Sequence, residues 1–247
     1  MSEFIWKTHL IHYKDAGSGP ELILFPGNTA SSAHYSDAIA HWANTYRVIC
    51  PDLLGTGQSS RIASWPVDWW EENARMAAAL LDHLDCTECI AVGSSGGGII
   101  ALLMSILYPQ KVEAVVTDST VSTWQPSQLA DIVNQRHLAD KATRQFWQFG
   151  HGDDWNEVIE ADGKMLLAFA SQSGNWAGGR LSEITCPALL TGSLQDQLLP
   201  QIGESSLKIA AEIPNSRIYL TNAGNHALIW TASNDFFDIV ELFLKSL

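Results

Sequence analysis

The segment Gly93-Ser94-Ser95-Gly96-Gly97 constrains this chain more than any other. It has G-x-S-x-G spacing and stands between a short apolar run, 89–92, and a longer one, 99–104, so strand, sharp turn and helix are expected in that order. A serine on such a turn has strained backbone angles. Glycines on both sides omit the Cβ atoms that would strike the adjoining strand and helix. That frame selects Ser95 over Ser94, because the residue two places before Ser94 is the branched Val92. A Gly/Ser-rich connection from strand to helix would carry the same five letters, so the pentapeptide has meaning only with partners elsewhere in the chain.

The rest of the sequence supplies a frame for such a turn. Short apolar runs at 22–25, 47–50, 89–92, 112–116, 188–190 and 216–220 are bounded by turn residues, the pattern of strands covered on both faces of a parallel sheet. Helix-like stretches at 33–43, 69–84, 97–108, 201–212 and 234–247 supply the crossovers that parallel neighbours need. Residues 4–14 read as a β-hairpin pair closed by the turn-forming 15–20. The expected class is therefore α/β, a mostly parallel central sheet flanked by helices. Between Asp118 and Thr185 the alternation stops, and helical, polar and aromatic stretches follow at 128–138, 141–149 and 153–169. A strandless insert of that length reads as a small helical cap placed after the sixth strand. The expected division is a core of 1–120 and 181–247 with a cap of 121–180. Trp124, Phe146, Trp147, Phe149, Trp155, Phe169 and Trp176 fall in or beside it, where such rings either join helices to the core or line an apolar pocket.

With 247 residues and 46% hydrophobic content the chain can bury a full core. A net charge of −13 argues against nucleic acid and anionic membranes as partners and leaves small molecules. No apolar run reaches the length of a membrane span. The opening Met1-Ser2-Glu3-Phe4 lacks a basic or apolar leader, so the cytoplasm is the expected compartment. The four cysteines are too few for a disulfide scaffold, and Cys86-Thr87-Glu88-Cys89 with His83 lacks a second ligand pair, so neither a metal nor a cofactor is expected. The sequence leaves room for a homodimer.

A serine hydroxyl needs a base to remove its proton. Among eight histidines, His226 follows the apolar run 218–220 and so lies on a loop at the carboxyl edge of the sheet, the edge that also carries Ser95. His9, His12, His41 and His83 read as surface or capping residues. His34 lies near the loop after the first internal strand, where it packs at a helix start or touches substrate, and His137 and His151 belong to the cap. The base needs a carboxylate to hold its tautomer. Asp196, after the run 188–190, is the first choice, and Asp118, one strand beyond Ser95, is the rival acid. Ser95, Asp196 and His226 then occur in the order nucleophile, acid, base. Two backbone N–H groups for an oxyanion would come from Gly96 and from Asn28, since Pro26 cannot donate and Gly27 supplies the bend. Trp124, Trp147 and His34 are the candidate pocket residues. Asp52 is expected to bond local backbone amides.

With these residues in place the chain resembles the α/β-hydrolases over essentially its full length. The features are the Pro51-Asp52-x-x-Gly55-x-Gly57-x-Ser59 loop, the Gly93 to Gly97 elbow and the terminal Gly224-Asn225-His226. More narrowly it resembles the biphenyl-hydrolase-like (valacyclovirase-type) carboxylesterases, through Leu24-Phe25-Pro26-Gly27, Trp65-Pro66-x-Asp68-Trp69-Trp70 and Ala142-Thr143-Arg144. The resemblance implies an α/β-hydrolase fold and a cofactor-free serine hydrolase that cleaves small carboxylic esters through an acyl-enzyme. Carbon–carbon bond or lactone hydrolysis with the same triad is the alternative, and a non-catalytic ligand receptor on the same fold is the second. Related dehalogenases and epoxide hydrolases place an aspartate where Ser95 stands. The carboxylesterases also place an aspartate directly after the nucleophile to hold a substrate ammonium group, and here that position is Gly96.

Overall fold

The computed structural model describes residues 2–172 and 174–247. Eight strands form one sheet in the order β1-β2-β4-β3-β5-β6-β7-β8. They are β1 (Ser2–Trp6), β2 (His9–Ala16), β3 (Glu21–Phe25), β4 (Arg47–Pro51), β5 (Cys89–Ser94), β6 (Val112–Asp118), β7 (Ala188–Ser193) and β8 (Ser216–Thr221). The hairpin β1–β2 is antiparallel and β2 also runs antiparallel to β4, whereas every pairing from β4 through β3, β5, β6 and β7 to β8 is parallel. The expected mostly parallel α/β sheet is the one observed.

Burial explains why these runs form strands. All six residues of β5 and of β7 are buried, and β6 exposes only its second residue, Glu113. Backbone groups there have no water to bond and must close a ladder. Helices α2 (Trp69–His83), α3 (Gly96–Leu107) and α7 (Ile202–Glu212) lay Trp69, Met76, Ile100, Leu103, Ile202 and Ile209 on one face of the sheet. On the other face, α1 (Ser36–Trp42) and α9 (Ser233–Leu244) contribute Ile39, Trp42, Phe236 and Val240. Three further helices, α4 (Pro126–Arg136), α5 (Lys141–His151) and α6 (Trp155–Ala170), stand between β6 and β7, with no strand among the described residues there. The short α8 (Leu228–Thr231) begins two residues after His226. No helix among the described residues is long and apolar enough to cross a membrane.

The loop after β4 differs in one respect from expectation. Asp52 does accept from the Ser32 and Gln58 amides, at 2.7 and 2.8 Å. It also meets His12 Nδ1 at 3.1 Å, and His12 is buried under the hairpin rather than at the surface. A sequence reading of His12 sees only a polar residue in an edge hairpin; its partner lies forty residues away.

Candidate active site

β5 ends at Ser94 and α3 begins at Gly96, which leaves Ser95 alone between them with φ 56° and ψ −122°. A non-glycine residue held there is strained and persists only where its surroundings fix it. Here they do. The Ser95 N–H donates to the Asp118 carbonyl at 2.7 Å, and the Ser95 carbonyl accepts from Gly98 N–H at 3.0 Å and from the Thr120 hydroxyl at 3.1 Å. A Cβ on Gly93 would collide with the Gly97 carbonyl, and one on Gly97 with the Phe25 carbonyl of β3. Only glycine lets β3, β5 and α3 approach so closely around the serine. The first turn of α3, which begins at Gly96, then lies directly behind Ser95.

The rival carboxylates separate cleanly by their partners. Asp196 Oδ2 lies 2.8 Å from His226 Nδ1, while its Oδ1 accepts from the Leu198 and Leu199 amides at 3.0 and 2.8 Å. Burial pushes the Asp196 carboxyl up, but the hydrogen bond and charge of His226 and the Leu199 amide outweigh it, and its pKa falls below the ordinary value. Asp118 bonds elsewhere. Its Oδ2 accepts from Ile229 N–H at 3.0 Å and its Oδ1 from the Thr191 hydroxyl at 3.1 Å. Complete burial pushes it up to about 6 in spite of those bonds. Asp118 therefore caps the turn that carries α8 away from His226, whereas Asp196 holds the imidazole itself.

The loop after β3 brings Asn28 over the elbow. Trp70 Nε1 can only donate, and it donates to Asn28 Oδ1 at 2.8 Å; the Asn28 Nδ2 then donates to Asp162 Oδ1 at 2.7 Å. The amide is thus oriented by its neighbours. Its oxygen fills the space where a Cβ on Gly96 would lie, so no side chain fits at 96 in this arrangement. The loop itself is braced by Ala30 N–H on the Gly27 carbonyl and Gly27 N–H on the Tyr35 hydroxyl.

Ser95, Gly96, Asn28 and His226 open together onto a cavity of about 500 Å³. The candidates Trp124 and Trp147 line it, and so do Phe146, Trp70 and Trp230, which were not among the candidates. Among the described residues that line it, His226 and Arg136 are the only ones with a basic side chain, and none carries a carboxylate. Arg136 forms an ion pair with Asp162.

His34 does not line the cavity, which corrects its place among the candidate pocket residues. Its Nδ1 accepts from Ser31 N–H, so Nε2 carries the proton that reaches the Phe146 carbonyl at 2.9 Å, and its ring stacks on Phe146 at 3.8 Å. Burial lowers its pKa, which suits this neutral role. His151 does the same at the other end of α5. It accepts from Gly57 N–H at 2.9 Å and lies 3.1 Å from the Thr29 carbonyl; burial first and foremost lowers its pKa to about 4. Arg61 adds bonds to the His151 carbonyl at 2.9 Å and to Asp154.

Sequence reasoning missed Trp70, Trp230, Arg136 and Asp162. A signal existed for Asp162. α6 buries Val158, Ile159, Met165, Leu166 and Phe169, and the same i, i+3, i+4 stripe includes an aspartate, which a buried face tolerates only when paired.

A family profile described as alpha/beta hydrolase fold matches residues 20–137. An enol-lactonase from Burkholderia xenovorans superposes with a TM-score of 0.78 at 17% identity, covering 99% of this chain and 100% of that one. The chain has the fold of the α/β-hydrolase superfamily. Curated relatives carry names of differing chemistry. Haloalkane dehalogenase 2 of Mycobacterium tuberculosis is 33% identical over 110 residues, 44% of this chain but only 38% of that protein's length. A putative carbamate hydrolase of Stutzerimonas stutzeri is 26% identical and covers 93% of both chains. The names of these relatives thus span different bonds, and the chemistry has to be read from the cavity of this chain.

Proposed function

We propose that the chain is a cofactor-free serine hydrolase that cleaves small carboxylic esters through an acyl-enzyme. The observation that carries this reading is the Asp196–His226 hydrogen bond in the same cavity as a serine held at positive φ. Ser95 Oγ attacks the ester carbonyl, and His226 takes its proton at Nε2 while Nδ1–H remains on the ionised Asp196. The tetrahedral oxyanion is held by the Gly96 and Asn28 N–H groups, at the positive end of α3. His226 returns the proton to the departing alcohol, and water repeats the sequence on the acyl-enzyme to release the acid.

The ring-lined cavity suits uncharged acyl groups. The narrower resemblance to carboxylesterases of amino-acid esters receives no support from its lining: no carboxylate faces the site, and Gly96 has no room for one. Dehalogenase chemistry is disfavoured by a serine at 95. A second reading, lactone or carbon–carbon bond hydrolysis by the same triad, is favoured by Gln135, Arg136 and Thr143, which give the inserted wall polar groups for an oxygen-rich substrate. A panel of p-nitrophenyl esters, lactones and vinylogous diketones tests both. Ester turnover that vanishes in Ser95→Ala is the expected result; turnover confined to diketones or lactones would replace it with the second reading.

A further inference from the structure

Asp162 is fully buried in the apolar stripe of α6, and its two oxygens serve two different parts of the molecule. Oδ2 meets the Arg136 guanidinium of α4. Oδ1 accepts from Asn28 Nδ2 at 2.7 Å, across 134 residues of sequence. The Asn28 carboxamide is consequently clamped, with its oxygen on the Trp70 indole of α2 and its nitrogen on the inserted helix α6. That same oxygen sits against Gly96. Both backbone amides assigned to the oxyanion belong to the two residues that meet at this clamp.

We infer that Asp162 is a positioning residue for the oxyanion hole, acting through the Asn28 side chain, so that the hole is complete only while α6 is seated on the core. The inference rests on the reading of Ser95 as the nucleophile. Oxyanion stabilisation depends on donors set in place before the charge appears. A misplacement of about 1 Å can cost about 10²-fold in rate. An unclamped Asn28 keeps its Trp70 bond but loses the one that fixes its carboxamide against α6. A carboxylate that merely neutralised Arg136 would have no such consequence.

The full chain, a fluorophosphonate probe and p-nitrophenyl butyrate separate these roles. Activity is expressed per probe-reactive site, which removes the contribution of unfolded material. In Asp162→Ala, kcat and the rate of phosphonylation should both fall by about 10²-fold, with KM changed by less than about threefold, because the loss falls on the transition state. Asp162→Asn retains an amide oxygen that can accept from Asn28 and should recover to within about tenfold of the parent. Asn28→Ala keeps its own N–H but loses the clamp, and should reproduce the Asp162→Ala loss. The double variant should lose no more than either single one, since both remove the same interaction. Values of kcat within about threefold of the parent in Asn28→Ala, or losses that multiply in the double variant, would overturn the inference. If circular dichroism shows Asp162→Ala unfolded, Asn28→Ala decides alone. A parent chain that takes no probe at all would overturn the nucleophile assignment instead, and this inference with it.

Discussion

The wall of the cavity that belongs to the sheet hangs Ser95, Asp196 and His226 from the carboxyl ends of β5, β7 and β8, and every one is held by backbone amides or by a close neighbour on the same edge. The facing wall, α4 to α6, is attached differently. Neutral His34 and His151, the Arg61–Asp154 pair and the Asn28–Asp162 bond tie it to loops of the core. Under Ser95 and Asp196 the first wall is built on β5 and β7, whose residues are all buried and cannot exchange their hydrogen bonds with water, while β8 beneath His226 is a half-buried edge strand. The second packs Leu129, Leu166 and Phe169 on the core as well, and its polar ties are few and sensitive to charge. Chemistry is therefore expected to depend on the first wall, and substrate fit and pH response on the second.

Substitutions can break that division, and the largest effects belong to the sheet wall. Ser95→Ala should lower kcat/KM by about 10⁴-fold or more with little change in melting temperature, measured on the best ester of the panel. Asp196→Asn should approach the same loss because His226 would be left in the wrong tautomer, whereas Asp118→Asn should keep kcat within about tenfold. Equal losses for the two aspartates would mean that Asp118 also serves the base. Gly96→Ala forces a Cβ against the Asn28 amide oxygen and should cost about 10² to 10³-fold in kcat, the scale of a lost oxyanion donor. On the inserted wall, Trp147→Ala should raise KM for bulky acyl esters several-fold and leave kcat for acetate esters within about twofold, because it removes apolar contact rather than a reacting group.

The smallest effect concerns pH. His151 has a folded pKa of about 4 against an ordinary 6.5, so the unfolded chain binds its proton first as pH falls. Its stabilising contribution is whole above pH 6.5 and is lost as pH drops toward 4, a change worth about 3 kcal/mol at most. Asp118, raised from 3.8 to about 6, works in the opposite sense: its contribution is whole below pH 4 and is lost as pH rises through about 6. Denaturant melts from pH 4 to 7 should show a flatter low-pH decline in His151→Gln than in the parent. An unchanged profile would remove His151 from the attachment of α5.

The sheet wall was legible in the sequence because its requirements are local. Gly93 is demanded by backbone contacts within the turn and Gly97 by the close approach of β3, and both read from the G-x-S-x-G spacing; His226 and Asp196 are placed by the strands that precede them. The three inserted helices were legible as helices near their observed bounds, and two of the three candidate pocket residues, Trp124 and Trp147, do line the cavity. What failed were pairings between distant segments. His12 with Asp52, His34 with Phe146, and Asn28 with Asp162 join loops to residues 40, 112 and 134 positions away, and nothing in the local pattern names the partner. Trp70 was noticed as part of a motif but not as a wall, because its indole reaches Asn28 only once α2 is packed.

The central claim is that Ser95 is a nucleophile activated by His226 and Asp196. Intact-mass and peptide mapping after treatment with a fluorophosphonate test it most directly. One adduct on the peptide carrying Ser95, absent in Ser95→Ala and formed at least about 10²-fold more slowly in His226→Ala, is the predicted result. An adduct on another residue, or labelling that survives Ser95→Ala, would contradict it.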